Sequence, residues 1–309
     1  MMKIMTAIVA IENGTLDDVV VVGDEVLEMY GSNIYIEVGE EITLRDLLYG
    51  LLMRSGNDAA IVVAKYIGKD VDTFVKMMNQ KAKEIGMKNT IYKNPHGLDE
   101  DTQNYSTAYD MALLSSYAYK NDIYREISKT KKWEVKTNKK SYVWYNRNKL
   151  LTLYKNSTGG KTGFTPKAGK TLVTTASKNG LNLTIVTLND GNQYNTHEEL
   201  YDYYFNKYDN YILIDKDNFE VDDYFYKDNV YVKESFTYPL TKEEKAKAKT
   251  VIEIYKLDDY KDNDVVGIAK VIINDKEIFK ENIYVKVEEK EEKTFFTKII
   301  DFFKSLLPF

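Results

Sequence analysis

With 309 residues and 43% of them hydrophobic, the chain is longer than one typical domain and can bury a sizeable core, so two domains are expected. A formal net charge of -5 argues against nucleic acid, whose phosphates demand a basic face. The absence of cysteine rules out disulfides, thiolate nucleophiles and Cys-based zinc sites, and the two histidines, His96 and His197, form no H-E-x-x-H metal site. No metal and no cofactor is expected, and an extracellular location stays open without disulfides.

In chain order, residues 3 to 12 read as a buried helix ended by Asn13-Gly14, and Val19 to Val22 as a short extended segment. Thr43, with Asp46 three residues on, starts a helix whose Leu44, Leu47, Leu48, Leu51 and Leu52 face a core. "RSGND", Arg54 to Asp58, interrupts it, and a second helix runs from Asp58 through Ile67 to Gly68. Asp70 to Ile85 repeats the pattern with Phe74, Met77, Met78, Ala82 and Ile85 inward and Gly86 as its C-terminal stop. Ser106 is expected to cap another helix running to about Lys120.

After Gly159 the pattern turns to strands, "KTGFT", "KTLVTTAS" and "NLTIVTLN", with Asn179-Gly180 as a hairpin signal, before "HEELYDYYFNKY" closes this part as a helix. The expected class is α+β, with helices covering an antiparallel sheet over residues 1–208. From Tyr211 onward no helical period persists, and "VIEIYKL", "VGIAKVIIN" and "NIYVKVE" suggest a small β domain over 209–290. The tail 291–309 sets Phe295, Phe296, Ile299, Ile300, Phe302, Phe303, Leu306 and Leu307 at helical spacing, which suits an amphipathic helix lying on a membrane surface.

Three short segments carry chemistry. Lys3 stands at the mouth of the first apolar helix; by itself a lysine at a helix start is commonly just a solvated helix end. Ser55-Gly56-Asn57 breaks two apolar helices, a polar interruption that is costly unless it faces a cleft; alone, S-G-N is a common turn. Lys161-Thr162-Gly163 opens a strand on which a peptide can pair with the backbone at Gly163 while Lys161 and Thr162 meet a terminal carboxylate. Each is weak alone, and their order makes them specific.

Together with "NPHGLDE", "YSTAYDMALL", "NRNKLL" and "GGKTGFTPKAGKTLV", these segments resemble the penicillin-binding proteins, specifically the low-molecular-mass serine D-alanyl-D-alanine carboxypeptidases of peptidase family S11. The resemblance covers nearly the whole chain. It implies a β-lactamase/transpeptidase-like domain, then the β-rich domain and the amphipathic end. It makes Lys3 the general base, Ser55 the proton relay and Asn57 a substrate-positioning group; Lys161, Thr162 and Gly163 bind substrate, and the Phe164 N–H is one oxyanion donor.

The family's nucleophilic serine, three residues before the lysine, falls immediately before Met1. With no leader peptide in front of the first helix, the expectation is a chain truncated at its N-terminus, without the first strands of the sheet and inactive as written. The decoy Ser128-Lys129-Thr130-Lys131 leads into "KWEVKTNKK", which has no apolar helical face, so Lys131 is expected to be solvated. His96 reads as a turn or packing residue, His197 as solvent-exposed, and Asp99, Glu100 and Asp101 as a solvated loop.

The resemblance further implies peptidoglycan stem peptides as substrate, β-lactam antibiotics as ligands, and an extracytoplasmic, membrane-associated parent with no obligate protein partner. A β-lactamase and a non-catalytic cell-wall binding protein are the alternatives.

Overall fold

The computed structural model describes residues 1–100, 103–221, 225–226 and 229–287, and the chain forms two compact units, Met1–Lys207 and one from Tyr208 onward. In the first unit α1 (Lys3–Asn13) is buried from Lys3 through Ile11, so it lies inside the core rather than on it. The short strands β1 (Val19–Val21) and β2 (Glu41–Thr43) pair antiparallel. Thr43 then caps α2 (Leu44–Tyr49), its hydroxyl accepting from Asp46 N–H.

A π-turn at Gly50–Arg54 ends that run, and α3 (Asn57–Gly68) and α4 (Val71–Ile85) follow, the latter capped by Asp70 and stopped by left-handed Gly86. Phe74, Met78 and Ala82 are buried as expected, with Met77 and Ile85 packed at the core's margin.

Next come α5 (Ala108–Tyr119), α6 (Asp122–Lys129), the hairpin of β3 (Lys132–Lys136) with β4 (Ser141–Tyr145), and the single turn α7 (Leu150–Leu153). β5 (Ser157–Thr165), β6 (Gly169–Lys178) and β7 (Leu181–Thr187) form an antiparallel sheet in that order, and α8 (Gln193–Lys207) closes the unit. Helices α5 and α8 pack on β6 and β7, giving the α+β layering anticipated from the sequence.

Several local expectations need correction. Thr107, not Ser106, caps α5, because the Thr107 hydroxyl accepts from Asp110 N–H while the Ser106 hydroxyl is paired with Thr90. His197 is fully buried rather than exposed. It shares a stripe with Tyr201 and Phe205 at four-residue spacing, and that stripe is the face α8 lays on the sheet. Its Nδ1 pairs with the Thr174 hydroxyl at 2.7 Å and its Nε2 with the Thr187 hydroxyl at 3.1 Å, so two threonines from adjacent strands make the burial tolerable.

The second unit holds β8 (Asp209–Ile214), β9 (Val230–Val232), β10 (Phe236–Leu240), α9 (Lys242–Lys247), β11 (Lys249–Ile254), β12 (Val265–Ile273) and β13 (Lys276–Val285). A four-stranded sheet runs β11-β12-β13-β9, and β8 pairs with β10. The helix α9 was not anticipated after Tyr211. It is held by a Thr241/Glu244 capping box and buries no residue, so it leaves no hydrophobic period to read. The amphipathic tail lies outside the described residues.

Burial pulls the pKa of His197 down to about 4. The unfolded chain protonates this ring near 6.5, so folding stability is expected to fall as pH drops from about 6.5 towards 4. Thermal denaturation across that range should show the loss in the native protein. A His197→Gln variant should start roughly 1–3 kcal/mol less stable at pH 7 and show a shallower acid slope.

Candidate active site

Lys3 is the first residue of α1, and its side chain runs into the core, leaving the residue 6% exposed. Its Nζ donates to Asn57 Oδ1 at 2.7 Å and to the His96 carbonyl at 2.6 Å. Loss of hydration draws the amine's pKa from 10.5 down to about 7; Arg147 pushes the same way, and Asp58 opposes both. An amine poised there is half neutral near pH 7 and can accept a proton.

Ser55 ends the π-turn in a left-handed conformation, with φ of 65°. For a residue other than glycine this is strained, and it turns the chain so that Ser55 faces open space while Asn57 faces inward. The Asn57 N–H donates to Ser32 O at 2.7 Å, and Asn57 Nδ2 donates to Tyr30 O at 2.6 Å. With Lys3 bound to Oδ1, this amide fixes the amine, the turn and the loop before β2 to one another.

The third element is β5, an outer strand of its sheet. Two cavities flank it. One of about 300 Å³ is lined by Lys3, Ser55, His96, Gly163 and Phe164 among others, and one of about 520 Å³ by Ser32, Ser55, Arg147, Thr162, Gly163 and Phe164 among others. Ser55, Gly163 and Phe164 are common to both, so the serine and the strand edge border one crevice. A methyl group on Gly163 would sit 2.6 Å from the Thr171 hydroxyl and 2.7 Å from the Met1 nitrogen, which is why α1 and the strand can approach so closely.

Lys161 is only 1% exposed and lines neither cavity. Its Nζ donates to the Thr162 carbonyl at 2.9 Å, and burial, reinforced by Lys3 and Arg147, holds its pKa well below the usual lysine range. Arg147, which sequence reasoning passed over within "NRNKLL", reaches the 520 Å³ cavity from the loop between β4 and α7 and donates from Nη1 to the Ser32 hydroxyl at 2.8 Å. No local periodicity marks such a residue; only the fold brings it to the crevice.

His96 is a turn residue at the site. Its carbonyl anchors Lys3, its Nδ1 accepts from Leu98 N–H at 3.2 Å, and burial together with Lys3 lowers its pKa to about 4. Lys131 is exposed, while Ser128 is buried at the end of α6, so the decoy pair is split. Among the described residues no three metal-ligating side chains cluster; Asp101 lies outside them.

A buried lysine with a lowered pKa thus lines one cavity together with a serine and a strand edge. A family model described as D-alanyl-D-alanine carboxypeptidase matches residues 1–192, and one described as the penicillin-binding protein 5 C-terminal domain matches 211–291. The first covers more than half of the chain, which therefore belongs to the D-alanyl-D-alanine carboxypeptidase family.

It is similar to the D-alanyl-D-alanine carboxypeptidase DacC of Escherichia coli, with 32% identity over 93% of this chain and 75% of the relative. With DacF of Bacillus subtilis it shares 37% identity over 59% of this chain, spanning 48% of that protein's length. The crystal structure of DacD from Francisella tularensis superposes with a TM-score of 0.68 at 26% identity, covering 93% of this chain and 86% of the other.

With Lys3 lowered to about 7, its amine should titrate well apart from ordinary surface lysines near 10.4. Carbon-detected NMR of isotope-labelled lysine is expected to show one midpoint near 7 that is assigned to Lys3. A Gly163→Ala substitution should broaden or displace that signal, because the added methyl collides with the Met1 nitrogen two residues before it.

Proposed function

We propose that this site performs the serine acyl-enzyme chemistry of a D-alanyl-D-alanine carboxypeptidase, removing the terminal D-alanine from peptidoglycan stem peptides. The observation that carries the proposal is the Lys3 amine, buried, half neutral near pH 7, and set in the wall of a cavity it shares with Ser55, Gly163 and Phe164. The family motif places the acylating serine on the residue joined to the Met1 nitrogen, and that nitrogen lies against Gly163.

In this reading neutral Lys3 takes the serine proton as its oxygen attacks the scissile carbonyl. The oxyanion is met by the Phe164 N–H and by the serine's own N–H, a donor pair of which each member is worth about a hundredfold or more in rate. The Ser55 hydroxyl passes a proton to the departing D-alanine amine and regains one from the Lys3 ammonium, which returns Lys3 to its neutral form, and Asn57 holds the substrate's amide. Thr162 and Arg147 receive the terminal carboxylate, with Lys161 adding positive potential from behind the strand. Water then resolves the ester, with the same lysine accepting its proton.

β-Lactams, which present a strained amide beside a carboxylate, would acylate the same serine. A peptidoglycan substrate places the protein outside the cytoplasm, and the aromatic spacing of 291–309 suits contact with a membrane surface. No helix among the described residues is long and apolar enough to cross a membrane.

Fluorescent penicillin tests this reading. A version with serine joined directly to Met1 should label, whereas the sequence beginning at Met1 should not. Labelling should rise as pH increases through about 7, since Lys3 must be neutral to act. Lys3→Met in the serine-bearing version should slow labelling by roughly 10²–10⁴-fold. A folded serine-bearing protein that resists labelling would sink the assignment.

A further inference from the structure

We propose that Asp58 is a positioning residue of this site: its carboxylate clamps the loop 30–36 onto the Ser55–Asn57 turn and balances the charge around Lys3. Asp58 is 2% exposed, where an unpaired carboxylate is strongly disfavoured. A fan of backbone amides receives it. Ile34 N–H donates at 3.0 Å, Tyr35 N–H at 2.7 Å, Ala59 N–H at 2.8 Å, and Ile36 N–H more weakly at 3.4 Å.

The residue before it makes the second fastening, since Asn57 binds Ser32 and Tyr30 of the same loop while receiving Lys3. Arg147 makes a third through the Ser32 hydroxyl. Two consecutive residues of α3 therefore tie one loop to one amine.

The loop is held against its own preference. Tyr35 has a φ of 63°, and the residue is 72% exposed, so little apolar burial compensates for the strained backbone. What holds it is polar: its N–H goes to Asp58, and its carbonyl accepts from Lys140 Nζ at 2.8 Å. Such a conformation persists only where its surroundings overdetermine it. Release of Asp58 would let the loop relax and would take Ser32, Tyr30 and with them Asn57 out of register.

Asp58 is also the negative counterweight at the amine. Lys3 is faced by Arg147 from the loop after β4, Lys161 from β5 and His96 from the turn before α5, and Asp58 is the negative charge that acts on it in favour of its charged form, beside the two acceptors it binds. Around Asp58 itself stand Lys3 and the Tyr142 hydroxyl, the latter bound to Glu40 with Glu37 beyond.

Asp58→Asn tests the clamp, because it removes the charge and turns an amide donor towards amide donors. The readouts are the NMR titration of Lys3 and the solvent exchange of the loop amides, neither of which needs turnover. The Lys3 midpoint is expected to fall by about half a unit or more, and the Ile34 and Tyr35 amides to exchange roughly tenfold faster. A folded Asp58→Asn protein with an unmoved Lys3 midpoint and unchanged exchange overturns the proposal.

If that variant does not fold, the unmodified protein decides. On acidification the Ile34, Tyr35 and Ala59 amide shifts must move with one shared midpoint above the ordinary aspartate value, since burial raises this carboxyl. Unrelated midpoints overturn it. The inference rests on the peptidase reading only for its consequence, so an intact clamp in a serine-bearing protein that penicillin fails to label counts against the function alone.

Discussion

The site depends on taking one amine out of water. A solvated lysine at the start of a helix is a cation with no proton-accepting capacity near pH 7, and the first turn of a helix also disfavours positive charge. Here the amine is enclosed by α1, the turn before α3 and the loop carrying His96, and its two fixed partners are both acceptors. Acceptors alone would favour the ammonium form. What tips it to about 7 is loss of hydration, with Arg147 adding repulsion, against Asp58.

That arrangement explains why so much of the surrounding backbone is irregular. An uninterrupted helix from Leu44 to Gly68 would bury its leucines equally well, but it would not turn Ser55 outward and Asn57 inward within three residues. The π-turn and the left-handed Ser55 achieve that at some expense in backbone strain, and the flanking apolar helices hold them in place. Asn57 then works as a junction, for each polar group of its amide has a partner on a different segment, Lys3 on α1 and Tyr30 on the loop.

Legibility in the sequence followed the physics of each element. α1, α3 and α4 could be read because apolar spacing and caps such as Asp70 and Gly86 act locally. The strands β5 to β7 could be read from β-branched runs and the Asn179-Gly180 turn, both of whose residues have positive φ. The hairpin of β3 and β4 could not, since each strand buries a single residue, Val135 and Trp144, among lysines and tyrosines. Lys3, Ser55, Asn57 and the Lys161 to Phe164 run could be singled out because they sit in short ordered motifs, and of these Lys3, Ser55, Thr162, Gly163 and Phe164 line the two cavities while Lys161 does not. Arg147, Asp58 and Tyr35 could not, because their roles exist only through contacts between segments distant in the chain, and the burial of His197 likewise depended on which face α8 presents to the sheet.

The same long-range logic divides the work between the two cations near the strand edge. In the proposed reaction a substrate carboxylate needs a donor it can reach, and Lys161, bonded to its neighbour's carbonyl and closed off from both cavities, offers field rather than contact. Its depressed pKa limits even that field, because a lysine buried beside Lys3 and Arg147 carries its charge reluctantly until an anion arrives. Arg147 keeps its charge in all conditions of interest and reaches the larger cavity, so it is the better partner for geometry. Binding of a carboxylate would then favour protonation of Lys161, and that charge would offset the carboxylate's own pull towards a protonated Lys3. Lys3 would thereby stay available to take the serine's proton, through electrostatics that neither lysine could supply alone.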